Sequence, residues 1–308
     1  MLSSSLLYVA GSRLRYVANW LRHHPALGGW ALLLLPDVTV TTTIPGIGPF
    51  SIRVRRNRSF WLRDPLLLER FPLAALRHFV RPGCVAYDVG ACIGLYTRLL
   101  ADYFNAGTVV AFEPMTDNLQ QLRRNVDLGH SASKVLIVPY AVANEDGERM
   151  FQVDDLSSAS GALTSVTGGE AAAGRRQFGF SAKSESVSCR RLDSAVEELG
   201  LPAPDVIKVD IEGAEAAFLE GAEICLAEHS PKILLEVHGL ERVRNVLQLL
   251  SRHGYHCSGE VSRRLSSTGY CKLDESLMRR CERPYDVHYM LAAKNERDLP
   301  ESLEPFAP

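Results

Sequence analysis

Between residues 85 and 139, two kinds of apolar pattern take turns along the chain. "VAYDV" (85–89), "TVVAF" (108–112) and the stretch 135–139 are short, continuous and rich in valine, the signature of strands buried on both faces. Between them, 94–104 and 116–128 place apolar side chains at helical steps. The alternation resumes with the strand "DVIKVD", a helix from Gly213 to Leu226 with Phe218 and Ala222 on one face, the strand "KILLEV", and a helix carrying Val243, Val246, Leu247 and Leu250. "YHC" and "VHYMLAA" read as the last strands, the second as an antiparallel one. Strands and helices in alternation predict an α/β fold, a mostly parallel sheet covered by helices on both faces.

The flanks differ. Leu6, Ala10, Leu14, Val17 and Leu21 fall at steps of three and four, with Arg13, Arg15 and Arg22 elsewhere on the wheel, which predicts a basic amphipathic helix. From residue 38, "VTVTTTIPGIGPFSIRVRRNRSFWL" predicts two strands joined through Pro45-Gly46, and "DPLLLERFPLAALRHFVRPG" a helix ended by Pro82-Gly83. No period survives over 154–186, where Ser, Gly and Ala predominate. The expected organisation is a helix-and-hairpin region over 1–80, a main domain over 81–295 with an insert at 154–186, and a tail over 296–308.

Charge changes this picture. The chain of 308 residues is net -2, but residues 1–81 hold 11 Arg against 3 acids, so that part is +8 and the remainder -10. Such a basic region suits a membrane surface, an anionic substrate, or the acidic main domain of the same or another copy in a homo-oligomer; a solvated, internally paired surface is the plain alternative. Seven cysteines without a C-x-x-C read as reduced thiols of a cytoplasmic protein rather than as a disulfide framework or zinc site. Arg13 and Arg15 interrupt the apolar stretch that a secretory signal needs, and no run reaches membrane-spanning length.

The chemistry is expected where strands of a parallel sheet end. "DVGACIGLYT" follows the first strand with Gly90 and Gly94, which permit positive φ and a close approach of backbone to a ligand. Glu113 ends the second strand, 19 residues after Gly94. A carboxylate there suits the two hydroxyls of a ribose, although it would equally cap the helix after Pro114. The glycines stand as G-x-x-x-G rather than the G-x-G-x-x-G of a pyrophosphate binder, and no Walker lysine follows. Asp88 just before them suits an ammonium group, such as the methionine end of S-adenosylmethionine.

"DVGACIGLYT", "FEPMTDNLQQLRRN", "YAVAN", "IKVDIEGAE" and "LLEVHG", in this order, resemble the FkbM family of S-adenosylmethionine-dependent methyltransferases over about residues 80–240. The resemblance implies a class I, Rossmann-like methyltransferase fold with a seven-stranded sheet, and methyl transfer to a hydroxyl of a sugar, glycolipid or polyketide-type natural product. It implies cofactor contacts at Asp88, Gly90, Ala91, Gly94, Thr97, Glu113, Pro114, Asn118 and Asp210, with Ala141 and Val142 near the adenine. Cys92 departs from the family, which usually has Asn there.

An aliphatic hydroxyl needs a base as the new bond forms, and imidazole titrates in the useful range. The acids and histidine at the later strand ends are Asp210, Glu212, Glu215, Glu236 and His238. The expectation is His238 as base, with Asp210 beside the methyl group and Glu212 assisting; the alternatives are His238 as a helix cap and Glu215 paired with Lys208. Asp210 with Glu212 or Glu236 could instead hold Mg²⁺ near a substrate diol. The 154–186 insert, with Arg175 and Arg176 reaching the ligand, would be a substrate lid or a merely disordered insert. Methylation of a small amine and a non-catalytic scaffold are the competing readings. Nucleic acid is excluded as partner by the net acidic charge and the lack of an N-P-P-Y type motif.

Overall fold

The computed structural model describes residues 37–57, 60, 64–153, 161–164, 183–237, 239–283, 286–304 and 306. The expected amphipathic helix over residues 6–21, Arg175, Arg176 and His238 lie outside the described residues.

The hairpin expected from residue 38 is formed by β1 (Thr39–Ile44) and β2 (Gly48–Arg53), paired antiparallel with Ile44 opposite Gly48. The single helix expected after it is two. Asp64 caps α1 (Pro65–Leu68) by accepting the Leu66 N–H at 2.9 Å, the chain turns at Glu69, and α2 (Arg70–Phe79) follows.

The main domain then runs β3 (Val85–Val89), α3 (Leu95–Arg98, extended by a π-helical stretch Leu99–Tyr103), β4 (Thr108–Phe112), α4 (Thr116–Asp127) and β5 (Lys134–Val138). After these come β6 (Ala141–Val142), β7 (Gly147–Val153), β8 (Ala162–Leu163), β9 (Lys183–Arg190) and α5 (Leu192–Leu199). β10 (Val206–Val209), α6 (Glu215–Glu220), α7 (Glu223–Glu228), β11 (Lys232–Glu236) and α8 (Leu240–Arg252) return to the main sheet. β12 (His256–Val261), β13 (Tyr270–Lys272), α9 (Glu275–Arg280) and β14 (Val287–Ala293) complete it.

Eight described strands make the large sheet in the order β13-β12-β14-β11-β10-β3-β4-β5. β5, β4, β3, β10 and β11 are parallel, while β14 runs antiparallel to both β11 and β12. The short β13 is the strand beyond the expected seven. Order reverses between β3 and β10, because the chain leaves β3 toward β4 and returns on its other side, opening a crevice at the carboxyl ends of these strands.

Alternate residues of each strand face opposite layers. Tyr87, Val89, Ile207, Val209, Ile233 and Leu235 pack with Phe218, Val243 and Val246 of the helices on one face. Ala86 and Leu234 face the other layer, with Leu73 and Leu76 of α2, Leu99 and Leu100, and Phe50 and Ile52 of the hairpin. The hairpin is also tied to the main domain by buried polar groups. Arg98, 1% exposed, is paired with Asp102 and donates to the carbonyls of Ile47 (2.5 Å), Pro49 (3.1 Å) and Asn125 (2.6 Å). Asn125 accepts the Ser51 N–H at 2.6 Å and donates to the carbonyls of Ser51 (3.0 Å) and Ile93 (2.7 Å). Hairpin arginines also meet acids of the same chain: Arg53 lies 2.6 Å from Asp37, and Arg56 pairs with Asp117.

Two differences from the sequence expectations have local causes. The helix expected from Gly213 to Leu226 breaks into α6 and α7 at Gly221, where a Cβ would stand 1.9 Å from the Ala143 carbonyl oxygen, so a neighbouring backbone fills the space. Residues 183–186, read as part of an aperiodic insert, begin β9. That strand pairs antiparallel with β7 and parallel with β6 in a second sheet of order β6-β9-β7-β8. Among the described residues, no helix is long and apolar enough to cross a membrane. No disulfide joins any of the seven cysteines.

Candidate active site

A cleft opens at the carboxyl ends of β3, β4 and β10, floored by Gly90, Glu113, Pro114 and Asp210. Its outer wall is Tyr140, Ala141 and Val142, with Phe151 and Leu163 from the second sheet. This small sheet was not legible in the sequence, and it closes one side of the crevice.

The glycine turn is shaped by its neighbours. Gly90 has φ +81°, and a Cβ there would lie 1.9 Å from the Asp210 carbonyl oxygen, so β3 and β10 approach at a distance only glycine allows. Gly94 has φ +91°, begins α3, and would place a Cβ 2.6 Å from Leu122. Cys92 between them also has positive φ, +51°. Asn tolerates that left-handed conformation better than other side chains, a backbone reason for the Asn usual at this position in the family that the motifs resemble.

Glu113 is 4% exposed and lines the cleft. Its carboxylate accepts the Cys92 N–H (2.9 Å), the Met115 N–H (2.9 Å) and Asn118 Nδ2 (3.3 Å). Burial pushes its pKa up to about 7; the three hydrogen bonds pull it down and Asp88 adds to the rise. The acid therefore sits poised between charge states and gains from further donors, such as two ligand hydroxyls.

Asp88 takes a different place from the one expected. It is fully buried, accepts from Thr97 Oγ1 at 2.7 Å and lies 3.5 Å from Lys208 Nζ. Of the residues expected at the site, Gly90, Glu113, Pro114, Asn118, Ala141, Val142, Asp210 and Glu212 line the cleft, whereas Asp88, Ala91, Gly94 and Thr97 are not among its lining. A buried aspartate paired in this way does not suit direct contact with a ligand ammonium.

Lys208 is 5% exposed, with Nζ 3.5 Å from Asp210 as well as Asp88 and 4.6 Å above the Tyr96 ring. Burial opposes its charge, but Asp210, Asp88, Glu236 and Glu69 outweigh that and hold the ammonium above its usual range. Glu215 is fully buried and accepts the Gly213 N–H at 2.8 Å, while Glu212 lines the cleft with φ +51°. Among the described residues no group of three His, Cys, Asp or Glu side chains is arranged to hold a metal ion. With an ammonium already beside Asp210, the expected Mg²⁺ pair of Asp210 and Glu236 is a poor fit.

Asp210, Glu236 and Tyr289 follow one another across the sheet: Val209 pairs with Leu235, so Asp210 is next to Glu236, and Glu236 pairs with Tyr289. Glu236 Oε1 lies 3.2 Å from His288 Nε2, an imidazole the sequence reading passed over because it sits inside a strand rather than at a strand's carboxyl end.

The model of the methyltransferase FkbM domain matches residues 88–257, more than half of the chain. The chain belongs to the FkbM methyltransferase family. It is therefore an S-adenosylmethionine-dependent methyltransferase, and the cleft lies within the matched segment. This FkbM methyltransferase is 29% identical over 242 residues to 31-O-demethyl-FK506 methyltransferase FkbM of Streptomyces tacrolimicus, covering 72% of this chain and 90% of the other. It is 26% identical over 167 residues to hexuronic acid methyltransferase AglP of Haloferax volcanii, covering 54% of this chain and 61% of the other. To AMB antimetabolite synthetase AmbE of Pseudomonas aeruginosa it is 29% identical over 207 residues, 58% of this chain but only 10% of that much longer protein.

Proposed function

We propose that this FkbM methyltransferase transfers a methyl group to a hydroxyl of a sugar, glycolipid or polyketide-type molecule. The observation that carries the reading is the adjacency of the cleft to a row of acids, Asp210 and Glu236, at the ends of the two strands beyond the switch point. A hydroxyl nucleophile must shed its proton, and hydrogen-bond acceptors are what it meets there. Two relatives support the substrate class, since their names specify 31-O-demethyl-FK506 and a hexuronic acid as substrates.

S-adenosylmethionine would supply an electrophilic methyl on a positive sulfonium. Glu113 would accept the ribose hydroxyls, and the backbone of the Gly90 turn would border the methionine end. Ala141 and Val142, both buried on the wall of the cleft, would flank the adenine. Asp210 would stand beside the methyl group, its carboxylate oriented by Lys208. Holding nucleophile and methyl in line is worth on the order of 7 kcal/mol of barrier lowering. His238, the base expected from the sequence, lies outside the described residues, and His288 is the imidazole that the described residues bring next to Glu236.

The test is incubation with methyl-labelled S-adenosylmethionine and either 31-O-demethyl-FK506 or hexyl glycosides, with products read by mass spectrometry. A methyl ether supports the reading. Label found only on amines in a matched panel of amino acceptors would replace it with N-methylation.

A further inference from the structure

The acceptor has to reach Asp210 from somewhere. A groove on the α2 side of the sheet ends at the row of residues that contains Asp210. Phe71 stacks on Tyr289 (ring centroids 5.7 Å apart, 19° between planes) and is tilted against Tyr270 at 6.1 Å, making an aromatic wall. Leu67 and Leu68, 52% and 47% exposed, form an apolar rim. Arg70, Glu260, Arg263, Thr268 and His288 are polar groups of the lining, and His288 is 3.2 Å from Glu236, the sheet neighbour of Asp210. The groove is assembled from the turn between α1 and α2, and from β12, β13 and β14, elements that lie partly or wholly outside the matched family segment.

Resting on the hydroxyl-acceptor reading above, we propose that this groove is the acceptor site. Its occupant is an amphiphilic hydroxylated ring, with the apolar part against Leu67 and Leu68 and the ring against the half-buried Phe71. The reacting hydroxyl is hydrogen-bonded by the Glu236–His288 pair. Three features fit that occupant: an aromatic side chain for a ring, exposed leucines for an alkyl or aryl portion, and a hydrogen-bonded polar pair at the end nearest Asp210.

The test titrates the full chain, saturated with S-adenosylhomocysteine, with hexyl β-D-glucoside and hexyl β-D-glucuronide, by calorimetry and saturation-transfer NMR. The expected result is saturable binding of at least one glycoside, weakened at least fivefold in Leu68→Glu and in His288→Ala. S-adenosylhomocysteine affinity should stay within twofold in both variants, which also reports that they are folded. Absence of glycoside binding by protein that binds S-adenosylhomocysteine overturns the groove, as does binding that neither substitution weakens. A methyl ether formed equally well by wild type and both variants overturns the groove while keeping the hydroxyl reading. Label delivered only to amines overturns both.

Discussion

Glu113 offers the sharpest test of how the cleft binds its cofactor, because its surroundings predict both a magnitude and a pH dependence. In the unliganded protein its pKa lies at about 7, raised mainly by burial. A carboxylate that accepts ribose hydroxyls makes charge-assisted hydrogen bonds, each worth about 1.5–3 kcal/mol, roughly twice the neutral equivalent. Glu113→Gln keeps the shape and one acceptor oxygen but removes the charge. Loss of about half of two such bonds is ~1.5–3 kcal/mol, so Kd for S-adenosylmethionine should rise by about 10–150-fold. The pH dependence follows from the same group. With a pKa of about 7, about one protein in eleven carries the ionised acid at pH 6 and about ten in eleven at pH 8. Wild-type affinity should therefore fall about tenfold from pH 8 to pH 6, beyond any change that Glu113→Gln shows in parallel. Calorimetric titration at both pH values measures all four constants. Equal affinities for wild type and Glu113→Gln at pH 8, or an identical pH dependence in the two, would refute the ribose assignment.

The sign is opposite for the unliganded fold. A carboxyl whose folded pKa exceeds its unfolded value binds its proton more tightly when folded, so its contribution to stability is greatest below the unfolded value and declines as pH rises through about 7. Wild type should lose stability relative to Glu113→Gln over that window in urea titrations without ligand, and gain it back when S-adenosylmethionine is added.

Three further substitutions test the supports of the cleft. Gly90→Ala forces a methyl group into the Asp210 carbonyl at a positive φ and should lower stability by about 2–4 kcal/mol, read by denaturant midpoint, and abolish cofactor binding. Cys92→Asn, at φ +51°, should raise stability by about 0.5–1 kcal/mol in the same assay; a loss would mean that the thiol, not the backbone, decides that position. Lys208→Met leaves Asp88 charged and buried and should cost about 3–5 kcal/mol, while the double variant Lys208→Met with Asp88→Asn should recover most of it. Equal effects of the single and double variants would show that the pair does not hold the turn.

The main sheet was legible because its strands are buried on both faces and therefore read as continuous apolar runs. "VAYDV", "TVVAF" and "KILLEV" fall within a residue of β3, β4 and β11. Ala141–Val142 and Ala162–Leu163 are two-residue strands, too short for any period to register, so the second sheet could not be read from pattern. Its strand β9 is half exposed and serine-rich, "KSESVSCR", and is specified by its partner β7 rather than by its own composition. The breaks at Glu69 and Gly221 were also invisible, since each depends on what packs against the chain there.

The same distinction separates the two ends of the site. Glu113 and Gly90 could be picked out because a strand end and a glycine turn are local features, both within the β3–α3–β4 stretch of chain. Asp88 shows the limit of that reading. An acid before a glycine turn suggests a ligand contact, yet its strand neighbour is Lys208, and the parallel pairing of β3 with β10 brings the two side chains together across 120 residues of sequence. The groove proposed for the acceptor depends wholly on such distant pairings. Glu236 meets His288 only because β14 inserts antiparallel beside β11, and Glu69 reaches both Tyr96 (2.6 Å) and Tyr289 (3.3 Å) from a turn between two short helices. Burial raises the pKa of Glu69, and the nearby Glu236 adds to it, while Tyr96, Tyr289 and Lys208 oppose the rise. The hydroxyls of Tyr96 and Tyr289 donate to one carboxylate oxygen of Glu69, and a glutamine keeps an acceptor oxygen for them. Glu69→Gln should then preserve both the fold and cofactor affinity, whereas Glu69→Lys, which inverts the charge beside Lys208, should destabilise the protein in urea titrations. A Glu69→Gln protein as unstable as Glu69→Lys would show that the ionised carboxylate, not the hydrogen bonds to the two tyrosines, is what this turn contributes.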